Sequence, residues 1–112
     1  MHHCGAGTTA AVFRAGVPGV AIPHVLDEFA LADWAFEFGC ASAPIPFAEL
    51  SVERLRDALA EVLHEPRYRE AAAALAETIQ DEQGVQTARQ LIEQLVAALP
   101  SRTADRSAAL PT

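Results

Sequence analysis

Along the second half of the chain, apolar residues recur at helical spacing. After Ser51, the residues Val52, Leu55, Leu59 and Val62 fall three or four positions apart. That pattern predicts an amphipathic helix capped by Ser51 and ending near His64. Pro66 suits the first position of a further helix, with Tyr68, Ala72, Leu75 and Ile79 as its stripe. Gly84 breaks the pattern. Val85, Ala88, Ile92, Leu95 and Val96 then form the clearest amphipathic stripe in the sequence. No internal repeat is present.

The first half is less regular. Ala10 to Ala15 reads as a helix closed by a left-handed Gly16, and Pro18 prevents its continuation. Gly19-Val20-Ala21-Ile22 is a short apolar run bounded by prolines, the pattern of a buried parallel strand. Pro23-His24-Val25-Leu26 then forms the loop at its carboxyl end, the edge where ligands sit in open α/β sheets. The first helix and this loop are expected to face one ligand from two sides. Asp27 is the expected N-cap of a second helix over 28–38, with Gly39 as its stop. Its residues Phe29, Leu31, Trp34, Phe36 and Phe38 do not share one narrow stripe, so the helix needs cover on several sides. Trp34 is expected in the core or against a further domain. Residues 40–46 carry too many prolines for a central strand and read as an edge strand or linker. The expected fold is α/β, mostly helical, with five helices and one or two short parallel strands. It occupies residues 1–99, with 100–112 as a disordered tail.

Composition narrows the function classes. A chain of 112 residues supports one small domain. The net charge is −7 and all eight basic residues are arginine, with no basic stripe, which argues against a nucleic-acid partner. A single diphosphate is still acceptable, because helix N-terminal amides supply local positive potential whatever the net charge. No apolar run is long enough to span a membrane and no signal peptide is evident. Cys4 and Cys40 are expected as reduced thiols, and the chain as a soluble cytoplasmic one. His2, His3 and Cys4 are adjacent and lack paired ligand spacing, so no metal site is expected. His24 and His64 are lone histidines, expected to be structural or solvent-facing.

The candidate chemistry lies in His2-His3-Cys4-Gly5-Ala6-Gly7-Thr8-Thr9, directly before the first helix. The first N–H groups of a helix have no internal partner, and the helix dipole places about half a positive charge there. Gly5 and Gly7 are expected to take positive φ and to let a ligand approach closely. Thr8 and Thr9 offer hydroxyl donors, and His3 a ring N–H. These residue types in this order point to a phosphate or diphosphate.

The ordered series His3-Cys4-Gly5-Ala6-Gly7-Thr8, Arg14-Ala15-Gly16-Val17-Pro18, Ile22-Pro23-His24 and Asp27 resembles the donor-binding half of nucleotide-sugar glycosyltransferases. It is most similar to the macrolide and sterol enzymes of the UDP-glycosyltransferase superfamily, from His2 to about Val96. The resemblance implies a partial Rossmann-like domain, the carboxyl-terminal half of the two-domain GT-B fold. It implies that His3, Gly5, Gly7, Thr8 and Thr9 bind the donor diphosphate, and that Asp27 and Glu28 bind the sugar. Glu28 stands where that family usually has glutamine. The implied reaction moves a hexose from a nucleoside diphosphate sugar to an acceptor hydroxyl on a lipid, sterol or polyketide-like molecule. The donor is a substrate, and no cofactor is expected. No catalytic residue is assigned, because the family's general base belongs to the acceptor domain. The chain is therefore expected to be a fragment, inactive alone, whose partners are the nucleotide sugar and a missing acceptor domain or partner chain. Self-association through the uncovered stripe of Val85, Ile92, Leu95 and Val96 is a further expectation. The competing expectation is a non-catalytic helical interaction module or gene remnant.

Overall fold

A computed structural model describes residues 1–100; the expected tail falls, from 101 on, outside the described residues. The helices are α1 (Ala6–Ala15), α2 (Glu28–Glu37), α3 (Val52–His64), α4 (Pro66–Asp81) and α5 (Gly84–Ala98), with one 3-10 turn at Phe47–Glu49. The chain divides into two compact units, Met1–Asp81 and a second from Glu82 onward.

Local chemistry explains the helix ends. The Ser51 hydroxyl accepts from the Arg54 N–H at 3.2 Å, the expected cap of α3. Pro66 opens α4, where its missing N–H costs nothing. Gly16 closes α1 at φ 68°, its N–H donating to the Phe13 carbonyl. Gly39 follows α2 at φ 75°. Gly84 does not merely break the pattern; it is the first residue of α5, after Gln83 as cap. In the second unit, α5 carries Val85, Ile92, Leu95 and Val96, with an Arg89–Glu93 ion pair at 2.8 Å one turn apart.

No strand forms among the described residues, which corrects the expected one or two. The run at 19–22 makes only isolated parallel bridges, His2 with Ala21 and Gly19 with Ala41. The hydrogen bonds are nonetheless parallel in sense. The His2 N–H donates to the Val20 carbonyl at 3.1 Å and the Ile22 N–H to the His2 carbonyl at 2.9 Å. On the other side, the Gly19 N–H reaches the Cys40 carbonyl, Ile45 the Ala21 carbonyl and Phe47 the Pro23 carbonyl. Pro23 has no N–H to return toward the third segment, and Pro44 and Pro46, which alternate with the donors Ile45 and Phe47, leave that segment's outer edge without N–H groups.

This three-segment layer carries the core of the first unit. Val20, Ile22 and Ile45 are buried with Ala58 and Val62 of α3 and Tyr68 of α4, and Leu55 packs against them. Cys4 and Ala21 are buried with Ala32 of α2. α4 packs across α1 and α3. The buried Tyr68 hydroxyl donates to Glu61 and accepts from Arg67, so it is not left unpaired. Trp34 is not in the core; it is 54% exposed, on an α2 whose inward side chains are the small Ala32 and Ala35.

Candidate functional site

The carboxyl ends of the three parallel segments gather His3, the Pro23–Leu26 loop and Phe47 on one edge of the first unit. α1 begins at Ala6, earlier than the sequence predicts, so Gly7, Thr8 and Thr9 lie in its first turn. The N-cap is Gly5, at φ −59° and ψ 149°, with no side-chain cap. The first helical hydrogen bond runs from the Thr9 N–H to the Gly5 carbonyl at 2.8 Å. The N–H groups of Ala6, Gly7 and Thr8 therefore have no partner among the described residues, at the positive end of the helix dipole.

The expectation that Gly5 and Gly7 take positive φ is corrected. The left-handed residue is Cys4, at φ 66°. Its N–H donates to His2 Nδ1 at 3.2 Å, which helps to hold this turn. Burial, the N-terminal amine and His3 all lower the His2 pKa, and with Nδ1 accepting from Cys4 the half-buried ring props the turn. Gly5 is needed for another reason. A Cβ there would lie 2.6 Å from His3 Nε2, so only glycine lets that ring lie over the helix end. A Cβ on Gly7 would meet nothing within 4 Å, so no packing demands glycine at that position.

Thr8 is exposed and Thr9 is buried. Thr9 Oγ1 lies inside without a hydrogen bond of ordinary geometry, beside the Cys4 thiol. Burial pushes that thiol up to about 11, against a smaller downward pull from the Thr9 hydroxyl. Of the five residues that the resemblance assigns to the diphosphate, Thr9 is the one whose side chain faces inward.

The second wall is the loop after the central segment. Asp27 occupies the N-cap position of α2, but its side chain makes no capping hydrogen bond, contrary to the sequence expectation. Glu28 reaches back instead. Its Oε1 accepts from the His24 N–H at 2.8 Å and the Val25 N–H at 3.2 Å. The His24 N–H is the largest cause holding this carboxyl below its ordinary range. The Val25 N–H and the neighbouring His3 and His24 rings act in the same direction, and burial opposes them. The clamp holds a loop in which Leu26 is left-handed at φ 52°, an uncommon conformation for a branched side chain. The carboxylate of Asp27 is left exposed beside it.

His24, a lone histidine in the sequence, is fixed by the fold. Its ring stacks on Phe47 at 4.4 Å and 19°, and stands edge-on to His3 at 6.4 Å. The signal was weak in the sequence, because Phe47 comes from a distant segment. Among the described residues no group of three His, Cys, Asp or Glu side chains is placed to hold a metal ion, and no helix is long and apolar enough to cross a membrane.

An uncapped, glycine-bearing helix end lies beside a loop at the carboxyl ends of parallel segments, an arrangement whose open amides suit an anion. The chain belongs to the family of erythromycin biosynthesis protein CIII-like C-terminal domains, which it matches over residues 1–99. It is 40% identical over 88 residues to a sterol 3-beta-glucosyltransferase of Arabidopsis thaliana, covering 79% of this chain and 14% of that protein. It is 36% identical over 94 residues to the O-mycaminosyltylonolide 6-deoxyallosyltransferase of Streptomyces fradiae, covering 84% and 22%. A sterol 3-beta-glucosyltransferase of Yarrowia lipolytica is 38% identical over 92 residues, covering 82% and 6%. The chain thus spans less than a quarter of the length of each of these relatives.

Proposed function

We propose that this chain is the donor-holding part of a glycosyltransferase that moves a hexose from a nucleoside diphosphate sugar to the hydroxyl of a lipid, sterol or polyketide-like acceptor. One observation carries the reading: the open amides of Ala6, Gly7 and Thr8, with the His3 ring laid over Gly5. Diphosphate oxygens only accept hydrogen bonds, and the three open amides of this helix end are donors only. As the bond to the sugar breaks, negative charge grows on the leaving diphosphate. Fixed amides and the His3 ring stabilise that charge without reorganising, so the site favours the transition state over the bound donor. Asp27, free of any cap, orients the sugar hydroxyls, while Glu28 fixes the loop that presents it.

No cofactor enters this scheme, and the nucleotide sugar is consumed as substrate. The acceptor site and the general base come from protein outside the described residues, either a further domain or a partner chain. The apolar stripe of α5 is the association surface in the same reading.

The test is equilibrium binding of UDP-glucose and TDP-glucose to the purified chain and to His3→Ala. Loss of one hydrogen bond to a charged group, about 1.5–3 kcal/mol, weakens binding roughly 10- to 150-fold. Equal affinity in the two proteins removes His3 from the site.

A further inference from the structure

The loop holds a second imidazole with one ring nitrogen free. His24 Nδ1 lies 2.9 Å from the Ile22 carbonyl, which can only accept. The hydrogen of the neutral ring therefore sits on Nδ1, and Nε2 carries a lone pair. No described residue bonds Nε2, and the side chain is 42% exposed. The ring cannot swing away at little cost. It is stacked on Phe47, tied to its own segment through Ile22, and carried on a backbone N–H that Glu28 holds. Its edge-on approach to His3 puts it next to the ring over Gly5, and Asp27 lies three residues further along the same loop. With the diphosphate held at the start of α1 and the sugar at Asp27, as proposed above, this fixed acceptor lies on the loop between them.

We propose that His24 is a specificity-determining contact for the donor sugar, its Nε2 accepting a hydrogen bond from a sugar hydroxyl. The inference rests on the donor-site reading above and deepens it. Diphosphate oxygens have no hydrogen to offer this nitrogen, whereas every hexose hydroxyl has one. The contact therefore discriminates sugars by whether a hydroxyl stands at that place, which the glycine turn cannot do. His24 is thus a third kind of element in the site, beside the amides that hold charge and the carboxylate that orients the ring.

The experiment compares the sugar's contribution to binding in three proteins. UDP and UDP-glucose, and likewise TDP and TDP-glucose, are titrated into the natural chain, His24→Phe and His24→Gln. Phenylalanine keeps the stack on Phe47 and removes both ring nitrogens. Glutamine places an amide oxygen near the position of Nε2. His24→Phe is expected to weaken the nucleotide sugar by about fivefold, the scale of one net hydrogen bond, while leaving the plain nucleoside diphosphate unchanged. His24→Gln is expected to recover most of that loss. A His24→Phe loss that is equal for sugar-bearing and sugar-free ligands assigns the ring to shape or to the diphosphate and overturns the proposal, as does an unchanged ratio. In both cases binding by the natural chain leaves the donor-site reading standing. If the natural chain binds none of the four ligands, that reading and this proposal fall together.

Discussion

Replacing Gly5 by alanine separates the helix from the site it serves. The residue sits at φ −59° and ψ 149°, a conformation open to any L-residue, so no backbone strain follows. The unfolded chain loses freedom, which favours folding by about 0.4–1 kcal/mol. Alanine is also a poorer N-cap than glycine, which costs a similar amount and leaves the balance near zero. At roughly 4–8 °C per kcal/mol for a domain of this size, the melting temperature should move by no more than about 4 °C. The site responds differently. The new Cβ would stand 2.6 Å from His3 Nε2 and 3.3 Å from Cε1, so the exposed ring must withdraw. A withdrawal of about 1 Å takes a ring N–H outside hydrogen-bond range of an oxygen it had contacted. The loss then approaches that of His3→Ala, roughly 10- to 150-fold in donor affinity. Calorimetric titration with UDP-glucose, paired with thermal unfolding, reads both quantities. Affinity that is unchanged in a stable Gly5→Ala protein would refute the placement of His3 over the helix end. A parallel collapse of stability and affinity would show that Gly5 is needed for folding instead.

Further outcomes follow from the same geometry. Gly7→Ala meets open space, so it should stabilise α1 by about 0.5 kcal/mol in thermal unfolding while weakening donor binding, since its methyl crowds the amides. Glu28 has a carboxyl lowered first by the His24 N–H, so its contribution is present above the ordinary carboxylate range and is lost as pH falls through the lowered value. Protection factors of the His24 and Val25 amides, which already allow for the intrinsic pH dependence of exchange, should therefore fall in acid; Glu28→Gln keeps an acceptor and should abolish that fall, and Glu28→Ala should leave protection low throughout. The Cys4 thiol, buried and pushed up to about 11, should resist iodoacetamide at neutral pH until the protein unfolds, as mass spectrometry would show.

The features legible in the sequence were those set by a residue and its near neighbours. Ser51 capping α3, Pro66 opening α4 and left-handed Gly16 closing α1 each depend on one side chain and the next turn. The family was legible too, because its motif series is ordered along the chain. The strands were not, since their extent depends on which partner N–H groups exist, and prolines on both sides of Val20-Ala21-Ile22 remove them. The left-handed turn was sought at Gly5 or Gly7, yet it falls on Cys4, held by a side-chain acceptor on His2. Asp27 looked like the cap of α2, but the strained Leu26 turn lets Glu28 reach back in its place. The inward hydroxyl of Thr9 was not legible either, because it follows from α1 starting at Ala6. His24 looked bland because the ring that fixes it, Phe47, belongs to the third parallel segment.

The central claim is that a nucleotide sugar binds at the start of α1, and amide chemical shifts test it most directly. With the ¹⁵N-labelled chain titrated with UDP-glucose, then TDP-glucose, the largest changes should fall on Ala6, Gly7 and Thr8, with His3 and Asp27 following. Inorganic pyrophosphate should move the first three and spare Asp27. Shifts concentrated elsewhere, or amides of Ala6, Gly7 and Thr8 that stay still at saturating ligand, would contradict the account.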